Sequence, residues 1–149
     1  MKLTKHFTIE EMTQSETAAR RGIDNSLPPE LTPNILTLCE TLENIRKILD
    51  NRSIIITSGY RCPELNKCIG GSIMSSHMQG LAADFICPSY GSPYRICQAL
   101  APIVEFDQLI QEFGRWVHIG LSEIPRQQIL TAAWDTVEKR TVYYNGIHH

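Results

Sequence analysis

SSHMQGLAADFIC, residues 75–87, joins a polar loop to the short apolar run LAADFIC, whose length and composition read as a strand. The loop delivers His77 and the strand delivers Asp84. Between them Gly80 permits a tight backbone path, and Ala82 and Ala83 are small enough for strand and loop to approach closely. Such a strand needs partners, and the flanking sequence offers them. Upstream, SIIIT (53–57) is β-branched and bounded by DNR and SGYR, and so reads as a buried strand. The Gly-, Pro-, Asn- and Ser-rich stretch 58–76 reads as a long loop with a helical turn near Glu64–Lys67. Downstream, SPYRICQALAPIV (92–104), opened by Ser92 and Pro93, reads as a helix. FDQLIQEF (106–113) and RWVHIGL (115–121) follow as two strands joined at Gly114.

Further out, Thr8 and Glu11 stand at the spacing that caps a helix N-terminus reciprocally. NSLPPEL is a turn, after which Thr32 and Pro33 open the main packing helix, with Ile35, Leu38, Cys39, Leu42, Ile45 and Leu49 at helical spacing. The last segment, 125–146, reads as a helical turn and an edge hairpin. At 149 residues the chain suits one domain spanning 1–149, and 42% hydrophobic with 20% charged residues is an ordinary globular balance. A net charge of -2 provides no positive field for a phosphate backbone, so nucleic acid is not an expected partner. No apolar run reaches the length of a membrane span, and MKLTKHFTIEEM has no apolar stretch after its lysines; synthesis in the cytoplasm without a signal peptide is expected. The five cysteines are odd in number and lack paired spacing, so they read as reduced thiols, with a Cys62–Cys68 bridge or metal site as the alternative.

Leaving aside the terminal pair, only His6, His77 and His118 remain. A catalytic zinc site needs three protein ligands and an open position for water, and His77, Asp84 and His118 would supply the three. Alternation along WVHIGL turns His118 away from the face of Val117 and Ile119, so it can reach a site while they pack. The attacking water also needs a base. Glu112 returns beside His118 across the turn at Gly114, and Asp107 is the competing carboxylate. Arg61, after the first strand, reads either as a solvated turn residue or as a partner for a substrate carboxylate or polarised carbonyl. Taken singly, a histidine near apolar residues is more often a hydrogen-bonded core or surface residue than a ligand.

SGYRCPELNKCIGGSIMSSHMQGLAADF (58–85) together with FDQLIQEFGRWVHIGL (106–121) resembles the zinc-dependent D-alanyl-D-alanine carboxypeptidase and murein endopeptidase family, particularly its compact phage and bacterial versions. SGYR, the SxHxxGxAxD spacing and the late WVH occur in that order, and the likeness is strong over 53–121. The resemblance implies an α+β fold with a central, mainly antiparallel sheet flanked by helices. It implies one Zn2+ on His77, Asp84 and His118, and hydrolysis of peptide bonds in peptidoglycan stem peptides, as a carboxypeptidase or an endopeptidase such as a phage endolysin. Ser75 and Arg61 fall on positions associated with substrate or oxyanion contacts. Many relatives carry an acid three positions before the last histidine, where this chain has Arg115. The hedgehog signalling domain, with the same zinc-site layout, carries a glutamate six positions before, and Glu112 matches that arrangement. The implied roles are Glu112 as base and later acid, with Arg61 beside the developing oxyanion. The expected protein is a monomer that reaches the cell wall after release. The bond cut stays open between D-Ala-D-Ala, a D-Ala cross-link and L-Ala to D-Glu. The alternative is a zinc-containing binding or structural module of the same fold without hydrolysis.

Overall fold

The computed structural model describes residues 1–149. Local signals set its helices. Around α1 (Ile9–Thr13), Thr8 Oγ1 accepts from Glu11 N and Glu11 Oε1 accepts from Thr8 N, at 3.2 and 3.1 Å. Ser15 caps α2 (Glu16–Arg21), which stops at Gly22 in the left-handed conformation. α3 (Thr32–Ile48) has Pro33 in its first turn and buries Ile35, Leu38, Cys39, Leu42 and Ile45 completely. α4 (Pro63–Cys68) and α5 (Pro93–Leu100) each start at a proline after a capping side chain, Cys62 Sγ and Ser92 Oγ. All five cysteines are free thiols, and burial pushes Cys39 and Cys97 up to about 12.

Six strands form one sheet: β1 (Ile55–Ser58), β2 (Ala82–Ile86), β3 (Gln108–Glu112), β4 (Trp116–Gly120), β5 (Gln128–Asp135) and β6 (Arg140–Asn145). Their order is β1-β2-β4-β3-β5-β6, antiparallel throughout except for the parallel β3–β5 pair. The architecture is therefore α+β with a mainly antiparallel sheet. Alternation divides the sheet's faces. Ala83, Phe85, Leu109, Val117 and Ile119 point into one core with α3 and α5. On the other face, register aligns Ser58, Asp84, His118, Ile110 and Leu130 in one row across the strands, and Trp116, Glu112, Ala132 and Tyr143 in the next. No helix is long and apolar enough to cross a membrane.

Three sequence expectations need correction. SIIIT is not a buried strand: β1 lies at the sheet's edge with β2 as its only partner, so Ile56 packs inward at 3% exposure while Ile55 stands 50% exposed. The helix after Ser92 ends at Leu100 instead of reaching residue 104; Pro102 has no N–H with which to continue it. The last segment contains the hairpin, β5 and β6, but no helical turn. Its first strand pairs with β3 in the parallel sense, which local pattern did not indicate.

Candidate metal centre

Two chain segments and two strands converge at one end of the free sheet face. The loop after β1 passes under α1, where Tyr60 N donates to Met12 O at 2.7 Å. Gly59 is required there, because a Cβ on it would stand 2.3 Å from Met12 O. Asn25, buried at 8% exposure, fastens the same loop: its Nδ2 donates to Thr13 O and Tyr60 O, and its Oδ1 accepts from Cys62 N. The 3-10 turn Ser76–Gln79 carries His77, is capped by Ser75 Oγ accepting from His77 N, and closes at Gly80 with φ of 69°. Arg61 N donates to His77 O at 3.1 Å, tying the two loops together.

This framework brings His77, Asp84 and His118 together, with one ligand atom from each lying within 4.8 Å of the others. His77 Nδ1 lies 2.7 Å from Gly59 O; a carbonyl can only accept, so Nδ1 carries the proton and Nε2 is left free, 3.3 Å from Asp84 Oδ1. His118 Nδ1 lies 2.9 Å from the same oxygen. Two residues beyond His118 on β4, Gly120 leaves room beside the second ring: a Cβ there would sit 3.4 Å from His118 Nε2. Ala82, opposite Gly120, shares this face, whereas Ala83 packs into the core, so only one of the two alanines opens space at the site.

The electrostatics follow from burial against charge. Burial disfavours an ionised Asp84, yet the two imidazoles overcome it and hold the carboxyl well below the usual range. Burial dominates at His77 and lowers its pKa, while at His118 the Asp84 hydrogen bond and charge outweigh burial and raise it. Two imidazoles and a carboxylate, one imidazole with its tautomer fixed from behind, are a nitrogen–oxygen donor set that could hold a divalent metal.

Glu112 Oε1 stands 3.9 Å from His118 Nδ1 on the same face. Burial and the Asp84 charge raise its pKa, against His118, Trp116 and Arg61, which pull it down. Trp116 acts on it as a side-chain donor, although its buried indole Nε1 makes no hydrogen bond of full geometry. Asp107, the other carboxylate considered, is not at the site. It precedes β3 at the far end, five residues and about 16 Å of strand from Glu112, and its carboxylate takes two hydrogen bonds of 2.9 Å from Arg126. Arg61 is brought to the site. Burial lowers its pKa against the charges of Asp84 and Glu112; Nη2 donates to Ser75 Oγ at 3.3 Å and Nε is buried without a partner. Ser75 thus caps the His77 turn and holds Arg61. Arg61, Asp84 and Trp116 line a groove of about 800 Å³ that runs to the start of α2 at Ser15.

Sequence reasoning missed Asn25 and the carbonyl of Gly59, neither of which a side-chain pattern announces. Trp116 was within reach, since alternation places it on the face of His118 two positions later.

A family model described as Peptidase M15 matches residues 5–120, which takes in α1 through β4 and every residue of the cluster. No curated protein matches the chain.

Proposed function

The chain belongs to the peptidase M15 family, and from that premise we propose that it is a zinc peptidase acting on peptidoglycan stem peptides, with His77, Asp84 and His118 as the metal ligands. The observation that carries this reading is the pairing of a three-donor cluster with a separate carboxylate, Glu112, 3.9 Å from His118 on one sheet face. A zinc ion held by His77, Asp84 and His118 would supply Lewis acidity to the scissile carbonyl and would lower the pKa of the attacking water. Glu112 takes the proton of that water and returns it to the leaving amine. Its raised pKa suits both steps, because a base poised nearer neutrality can also serve as acid. Arg61, stripped of much of its water, presents its guanidinium to the developing oxyanion or to a substrate carboxylate. Ser75 holds that guanidinium in place. The groove receives the peptide.

Mass spectrometry of purified muropeptides incubated with the zinc-loaded protein tests the reading and reports the bond cut. New fragments are expected, and Glu112→Gln should lower kcat about 10²- to 10⁴-fold while retaining about one zinc per chain. Fragments formed at the wild-type rate by Glu112→Gln would remove Glu112 as the base. Zinc bound with no fragments at all would favour a binding module.

A further inference from the structure

A second cleft, about 710 Å³, adjoins the groove at Trp116. Trp116 lines both, so the two spaces share one wall. The cleft is bounded by Phe113, Arg115 and Trp134. Phe113 meets Trp116 edge-on at 5.6 Å between ring centroids and seals the small cluster of Ile110, Leu130 and Ala132 beneath it. Trp134 remains 57% exposed. Its diagonal neighbour on the same face, Tyr143, is 56% exposed. Both aromatics belong to the β5–β6 hairpin, beyond the residues that the family model matches.

We propose that this aromatic cleft binds an amino sugar of the glycan strand while the attached stem peptide lies in the groove lined by Arg61 and Asp84. The proposal rests on the peptidoglycan reading of the metal site. Three observations select a sugar. One occupant can be continuous with the peptide, because the cleft and the groove share Trp116. Trp134 lies one strand across and two residues along from Glu112, about 8 Å between backbones, which is two or three extended residues from the reacting bond. The lining combines the aromatic residues Phe113, Trp116 and Trp134 with the cationic Arg115. A pyranose ring has an apolar C–H face to lie on an indole and hydroxyl and N-acetyl oxygens to accept from a cation, as a compact ligand with both polar and apolar surfaces requires. A net charge of -2 offers no general attraction to an anionic wall, which leaves stacking as the available grip.

The test compares a stem peptide with the same peptide still joined to its N-acetylglucosaminyl–N-acetylmuramyl disaccharide. For the zinc-loaded protein kcat/KM should be about tenfold higher on the linked substrate. Trp134→Ala should bring that ratio to about one, and Trp134→Phe should preserve most of it. A wild-type ratio near one, or a ratio unchanged in Trp134→Ala, overturns the proposal. An equal loss on both substrates in Trp134→Ala also overturns it, by placing peptide in the cleft. Saturation-transfer NMR with the disaccharide alone separates this proposal from the peptidase reading. Transfer to the sugar that disappears in Trp134→Ala supports the cleft even if no peptide is cut, whereas cleavage without transfer overturns the cleft and leaves the peptidase intact.

Discussion

At the scale of single residues, the centre depends on a backbone atom as much as on its donors. Gly59 O decides which nitrogen of His77 faces Asp84, and Gly59 can hold that position only because it lacks a Cβ that would strike Met12 O. Gly59→Ala must therefore push the loop away from α1 and carry the carbonyl with it. We expect a stability loss of about 1–3 kcal/mol and zinc affinity about 10- to 100-fold weaker, read by thermal melts and by competition with a chromophoric chelator. Wild-type zinc affinity in a destabilised Gly59→Ala would mean that the carbonyl does not orient the ring. The donors themselves were legible, because histidine is scarce in this sequence and alternation fixes the face of His118. What supports them was not, since Gly59 acts through its carbonyl and Asn25 through contacts with Thr13 and Cys62 that are distant in sequence.

At the scale of elements, β1 shows how an edge strand differs from a central one of similar composition. Ile55 and Ile56 are chemically identical, yet one faces outward at 50% exposure and the other is packed in the main core at 3%. Ile56→Ala should cost about 2–5 kcal/mol and Ile55→Ala under about 1 kcal/mol by urea unfolding. Equal losses would restore the buried strand that the composition of SIIIT suggests. The contrast also marks where the fold was readable. α3 was legible from Thr32 to its buried stripe because the 3.6-residue period and the proline at its start are local. The pairing of β5 with β3 was not, because a parallel register between strands separated by β4 is chosen by packing of Ile110, Leu130 and Ala132, which come together only in the folded chain. The hairpin itself showed in the sequence, while its neighbour did not.

At the scale of the whole molecule, two carboxylates outside the site clamp distant parts of the chain and make stability depend on pH. Glu43 on α3 accepts from Thr4 Oγ1 and His6 N, both at 2.7 Å, and lies 2.6 Å from His6 Nδ1, fixing the N-terminal segment that leads to α1. Burial would raise its pKa, but these hydrogen bonds outweigh burial and lower it. Asp107 joins the start of β3 to the segment before β5, and chiefly the Arg126 hydrogen bonds lower its pKa. A carboxyl with a depressed folded pKa contributes stability that is complete above its unfolded value, about 4, and is lost as the pH falls through the folded value. The clamps therefore hold at neutral pH and release in acid. Glu43→Gln should lower Tm by a few degrees at pH 7, and the gap to wild type should narrow as the pH falls below about 4 and through the lowered folded pKa, because wild type then loses the same charge. Differential scanning calorimetry from pH 7 to 3 measures it. A gap that persists unchanged into acid would show that Glu43 acts through its shape and not through its ionised carboxylate, and the N-terminal clamp would then be independent of pH.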